Sequence, residues 1–167
     1  EPAGSELALE LDRRLVGLHH GLGQPERAWD AAARVVAGDP GDVDARAALT
    51  ALAHELGRTE ELAIRLGAAL TARKAAAAPP AELRALAAEL ALLHANDLGD
   101  RAGAEKAWIA VLEAEPDDAE AFDELAAIYR SASRWDDLRA LLERRVAATA
   151  ADGARKATLL ELAQLDE

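Results

Sequence analysis

Cysteine and methionine are absent from this 167-residue chain, and its aromatics are one phenylalanine, one tyrosine and three tryptophans. Without cysteine there is no disulfide framework, no thiolate nucleophile and no sulfur ligand for a metal. Nothing then demands an oxidising compartment, and a cytoplasmic location is expected. Prolines number six and glycines eleven, and most fall between helix-patterned segments. β-Branched residues are sparse, with no strand-like alternation of useful length. No apolar run approaches the ~18 residues that would span a bilayer, and the opening EPAGSELAL does not read as a secretory signal. Positive charge is short as well, with 31 acids against 19 bases and a net charge of −12. That balance argues against nucleic-acid phosphates and anionic membrane surfaces, both of which need clustered Lys and Arg. It favours a soluble surface or a cationic partner.

What is present is alanine, 44 residues of 167. Alanine is the best helix former, and its small side chain lets helices approach closely. An all-α chain follows. Its punctuation also repeats. GQPERAWDAAARVVAGDPGD (23–42) aligns with GDRAGAEKAWIAVLEAEPDD (99–118), and LGRTEELAIRL (56–66) with ASRWDDLRALL (132–142), each 76 residues on. Gly23, Gly57, Gly99 and Ser133 mark one equivalent turn, with successive spacings of 34, 42 and 34. The extra eight residues fall where KAAAAPPAE lengthens a connection at 77–84.

These signals predict nine helices, at 6–21, 25–37, 42–56, 59–75, 80–97, 101–114, 118–132, 135–149 and 153–166. Pro25 suits a first helical turn, where its missing N–H is not needed. Asp42 and Asp118 are placed to cap the helices that follow, Ser133 with Asp136 has capping-box spacing, and Pro40 and Pro116 stop the helices before them.

A period of 34 with two helices per unit resembles the tetratricopeptide repeat, over nearly the whole chain. Phe122, Leu125, Ala126 and Tyr129 match that family's first-helix pattern, and Ala104, Trp108, Val111 and Pro116 its second. Ala28, Ala32, Val35 and Pro40 match with the aromatic missing, while Leu62 and Leu138 stand where a small residue is usual. The resemblance implies a single right-handed α-α superhelix. Its repeats would run 9–42, 43–76, 85–118 and 119–152, with a partial fifth at 153–167. Trp29, Trp108 and Trp135 are expected to pack in its core. Leu159, Leu160 and Leu162 of the last helix would be left for another helix or molecule to cover, so self-association through 153–167 is an expectation.

No catalytic constellation or cofactor motif accompanies this pattern. His54–Glu55 begins like a zinc-protease signature, but Arg58 stands where the second histidine belongs. The acidic pairs Glu60–Glu61, Asp117–Asp118 and Asp136–Asp137 fall at helix starts, where they suit the helix dipole. The three serines lack nucleophile-elbow glycines. His19 and His94 are expected to face inward. Neither a catalytic nor a metal-binding role is therefore assigned.

The resemblance also implies a concave groove lined by the first helix of each pair, in which a peptide or helix lies. Projecting those helices places Arg13, His20, His54, Glu55, Glu89, Leu93, Asn96, Asp97, Asp123 and Arg130 on it. Gly17, Ala51, Leu93 and Ala127 would form its floor, and Glu10, Asp44 and Glu120 would add further acids. So many carboxylates oppose the clamp by which one branch of the family grips a C-terminal carboxylate. A protein or peptide segment with Lys or Arg fits better. The expected function is a non-catalytic protein-interaction scaffold. The alternatives are a regulatory or oligomerisation segment of a larger multidomain protein and, least favoured because its acids are dispersed, an α/α-barrel enzyme.

Overall fold

The computed structural model describes residues 2–148 and 152–165. Among them lie nine helices and no strand. They are α1 (Pro2–Gly21), α2 (Pro25–Gly38), α3 (Val43–Leu56), α4 (Thr59–Ala75), α5 (Pro80–Leu92), α6 (Arg101–Ala114), α7 (Ala119–Ser131), α8 (Trp135–Ala148) and α9 (Asp152–Leu165). These agree with the expected helices to within a few residues, and the expected ends at 149 and 166 lie outside the described residues. A π-helical turn, Leu93–Asp97, follows α5 directly. The chain forms two compact units, Glu1–Ala78 with Asn96–Leu98, and Pro79–Ala95 with Gly99–Glu167. Their boundary falls inside the lengthened connection. No helix among the described residues is long and apolar enough to cross a membrane.

One turn geometry closes every helix pair. Gly23, Gly57, Gly99 and Ser133 all adopt left-handed backbone, with φ of 67°, 66°, 61° and 55°. The next residue then donates back into the helix it has left. Gln24 N–H reaches His19 O at 2.9 Å, Arg58 reaches Ala53 at 2.8 Å and Arg134 reaches Tyr129 at 2.9 Å, each five residues back. This is the bond that satisfies orphan carbonyls at a helix end. At the third turn Asp100 N–H reaches His94 O at 2.9 Å, six residues back. The π turn has inserted one residue, so α5 before it is shifted by one against the other first helices.

In the first unit α2 is the most buried element. Ala28, Trp29, Ala31, Ala32, Val35 and Val36 lie within 2% of complete burial, joined by Leu49, Leu52 and Ala53 of α3 and Leu62 and Leu66 of α4. The Trp29 ring sits beneath the guanidinium groups of Arg58 and Arg65, at 5.5 and 5.7 Å from its centroid. Arg34 ties α2 to α1 through Asp12, at 2.6 Å. In the second unit α6 contributes Ala104, Trp108, Val111 and Leu112, and α7 Phe122, Leu125 and Ala126, packed against Leu138 and Leu142 of α8. Arg134, the counterpart of Arg58, pairs with Glu105 at 2.6 Å and stacks on Tyr129 at 4.7 Å. Glu105 occupies the place of Trp29, so one arginine position serves an aromatic partner in one unit and an acidic one in the other.

Three expectations need correction. Trp135, expected in the core, is 52% exposed at the first position of α8, where the helix has barely entered the layer. Ser133 does not head a capping box, because it is the left-handed residue of the turn and α8 begins only at Trp135. His19 is half-buried, not enclosed, with Nδ1 3.1 Å from Gln24 Oε1.

A left-handed residue with a Cβ costs about 1–2 kcal/mol, partly offset because glycine, with its greater backbone freedom in the unfolded chain, loses more entropy on folding. Ser133→Gly should therefore raise stability by about 0.5–1 kcal/mol and Gly57→Ala lower it by about 1 kcal/mol. Urea unfolding of the two variants beside the parent chain checks both signs.

Candidate functional site

The expected groove residues come from first helices, and their positions follow from how each helix is capped and clamped. Asp42 ends the turn after α2 and accepts the Ala45 N–H at 2.9 Å, capping α3. Arg13 crosses from α1 and donates to Asp42 at 2.6 Å and Asp39 at 3.0 Å. Burial works to raise the Asp42 pKa, but the Ala45 N–H and the Arg13 guanidinium together hold it below the usual carboxylate range. The second unit repeats the device. Asp118 accepts the Ala121 N–H at 2.8 Å and caps α7, while Arg84 donates to Asp118 and also approaches Glu120. The Asp118 hydrogen bond, with the neighbouring carboxylates, pushes the Arg84 pKa further up. Arg13 is thus first a seam residue, with its charge taken up inside the fold.

Four other expected residues of the first unit face solvent in pairs. His20 Nε2 lies 3.8 Å from Glu55, and His54 Nδ1 lies 3.5 Å from Asp97, which belongs to this unit. Asn96 is exposed beside Asp97. Each of these histidines meets the acid that follows the equivalent position of the next repeat. No group of three or more His and acidic side chains suited to a metal occurs among the described residues. A cavity of about 350 Å³ opens between α1 and α3, lined by Arg13, Val16, Gly17, Asp42, Asp44, Ala45 and Ala48. Three of these, Arg13, Gly17 and Asp44, were expected on the groove, and Val16 and Ala48 were not.

In the second unit Glu89 is half-buried, and Asp123 and Arg130 are exposed, with Asp123 accepting from Arg145 at 2.7 Å. Leu93, expected on the groove floor, is only 4% exposed. The shift introduced by the π turn explains it. Leu93 corresponds to the buried Leu52, and Leu92, 41% exposed, takes the floor position. A second cavity, of about 300 Å³, is walled by Arg101, Ala104 and Trp108 of α6 and by Glu124, Ala127 and Ile128 of α7, with Ala95 and Ser131 at its ends. Of these, Ala127 was expected on the groove, whereas Arg101 and Glu124 were not. Those two charges flank an alanine-lined hollow, which only the packing of α6 on α7 reveals.

No family model and no curated protein matches this sequence. Solved structures do. A tetratricopeptide repeat protein from Parabacteroides merdae superposes with a TM-score of 0.55 at 13% identity, over 96% of this chain and 60% of the other. The chain therefore spans less than two thirds of that protein. MamA superposes with a TM-score of 0.51 at 14% identity, over 95% of this chain and 90% of that one. A double mutant of MamA from RS-1 gives 0.52 at 13%, with 95% and 94% covered.

The acid dependence of the seam follows from the direction of the Asp42 shift. A carboxylate held below its unfolded value contributes stability above that value and loses it as pH falls through the folded one. Asp42→Asn keeps a capping side chain but loses the charge, whereas Asp42→Ala also loses the cap, at about 1 kcal/mol. Urea midpoints should show the Asn variant weaker at neutral pH and its deficit against the parent shrinking as pH falls through the acid range. Four left-handed turns, two capped seams and these superpositions agree, and the fold of this chain is that of the tetratricopeptide repeat proteins.

Proposed function

We propose that the chain is a non-catalytic protein-interaction scaffold that holds a basic peptide or helix against its first helices. The observation that carries this is the charge left over beside the first-unit cavity. Arg13 is neutralised by Asp39 and Asp42, while Asp44, on the cavity wall, and Glu55, at the other end of α3, remain at the surface. In the second unit Glu120, Asp123 and Glu124 of α7 are exposed, Glu120 beside Arg84 and Asp123 beside Arg145. Asp44 thus borders the hollow of the first unit, and Glu124, with Arg101, that of the second, each among alanine, glycine or aliphatic side chains. A lysine or arginine of the partner meets the acids, and its small apolar residues fill the hollow. In the first unit His20, His54 and Asn96 add hydrogen-bonding groups for a partner backbone, with Asp97 beside them; in the second unit Arg130 does so, with Glu89 and Leu92 on α5. The helices supply rigidity, so the contact residues are already ordered before the partner arrives.

A second function has its own observation. Leu159 and Leu160 of α9 are 49% and 58% exposed, whereas Leu125 and Ala126, one repeat earlier, are buried to within 3%. Covering them is the task of another helix, which supports the alternative of a regulatory or oligomerisation segment in a larger assembly.

The two are separated by fluorescence anisotropy with a pair of amidated peptides of equal length, one lysine-rich and one glutamate-rich. The lysine-rich peptide should bind, weaken with added salt over the Debye-screening range, and weaken several-fold more on the combined substitution Asp44→Asn, Glu55→Gln. Equal binding of both peptides, or indifference to the substitutions, would rule out the acidic groove as the site.

A further inference from the structure

A run of exposed leucines lies outside the groove, along α1 and at the turn residue that follows it. Leu7, Leu11, Leu18 and Leu22 are 64%, 52%, 56% and 62% exposed. At 100° per residue their side chains fall within a single narrow stripe, with Leu15 half-buried along its border. The intervals from Leu11 through Leu15 and Leu18 to Leu22 are four, three and four, the spacing of a helix seam that packs against another helix. The stripe is also symmetric end to end. Leu7 and Leu22, and Leu11 and Leu18, are equidistant from the point between Arg14 and Leu15.

We propose that this stripe is a twofold interface, on which α1 of a second copy lies antiparallel. In that arrangement Leu7 packs on the partner's Leu22 and Leu11 on the partner's Leu18, the self-complementary pattern that an isologous contact requires. The repeat itself argues for a copy in preference to an ordinary repeat junction. The counterparts of Leu11 in α3 and α7 are Ala45 and Ala121, 6% and 0% exposed, where a small residue admits the preceding helix closely. Leu11 puts a bulky side chain there, which holds a neighbour at the distance of leucine-on-leucine packing. Each leucine leaves on the order of 100 Å² of apolar area to cover, so two copies bury roughly 800 Å² from leucines alone. With the stems of Glu10 and Arg14 the contact approaches the lower limit for specific association, about 1,000–1,200 Å², as befits a weak dimer. Arg14 near the twofold point is already paired with Glu10, at 3.1 Å, so the flank brings no uncompensated charge.

The absence of native cysteine makes the test direct. Leu7→Cys and Leu22→Cys chains, mixed under mild oxidation, should give a disulfide-linked heterodimer. Leu7→Cys alone should give little, because the two Leu7 positions then lie at opposite ends of a contact about 22 Å long. Sedimentation equilibrium of the parent chain should show the mass rising from 17.6 kDa toward twice that value as concentration increases. Leu11→Glu with Leu18→Glu should hold the chain at the monomer mass, while Leu159→Glu with Leu160→Glu should leave the dimer intact. A chain that stays monomeric to its solubility limit overturns the proposal. So does efficient self-pairing of Leu7→Cys, which means parallel helices, and so does a dimer that only the α9 substitutions abolish. Should the double glutamate variant fail to fold, the cysteine pairs still decide.

Discussion

The contact on which the rest of this structure depends is the arginine-capped aspartate between successive helix pairs. Asp42 does two jobs with one carboxylate. It closes the N-terminus of α3 through the Ala45 N–H, and it receives Arg13 from the helix one pair earlier. Asp118 does the same for α7, with Arg84. A cap alone would end a helix without fixing its neighbour, and an ion pair alone would be worth little at a surface. Joined on one side chain, they fix where the next first helix starts and which way it leaves the turn. The cavity between α1 and α3 is the space this geometry leaves, and Asp42 and Arg13 form part of its wall.

The repeat was legible because its punctuation is local. Three glycines and a serine in a left-handed turn, two aspartates at helix starts and the prolines after helix ends each act within a few residues of themselves. The core was legible where side-chain size left no choice, as for Trp29 and Trp108, both fully buried. What escaped was anything that needed register across a gap. The single residue inserted by the π turn after α5 rotates Leu93 into the interior and Leu92 outward, and composition gives no sign of it. The same shift hides the second arginine clamp. Once it is allowed for, Arg84 lies one turn before the counterpart of Arg13 and on the same face, so it reaches the equivalent aspartate from further back. Trp135 misled for the opposite reason, an aromatic at a helix start where the packed layer has not yet begun.

Among the expected groove residues, the structure separates those that build the seam from those that face outward. Arg13 is consumed by the fold, and Asp123 is partnered by Arg145, whose guanidinium also lies 5.4 Å above the Phe122 ring. Glu55, His54 and His20 stay at the surface in loose pairs. Removing a cation to internal duty while leaving carboxylates outside makes the first helices more acidic than their composition alone suggests. Neutralised arginines in the seams and exposed acids on the first helices are thus two sides of one charge distribution. The leucine stripe of α1 faces a different direction, so partner capture and self-association need not compete for the same side chains.

The central claim is that first helices present the working surface. Its most direct test is amide hydrogen exchange, followed by mass spectrometry, with and without a saturating lysine-rich peptide. Added protection concentrated in α1, α3 and α7, with α2, α4 and α8 unchanged, is the result this account predicts. Protection confined to the second helices or to α9, or none despite bound peptide, would contradict it.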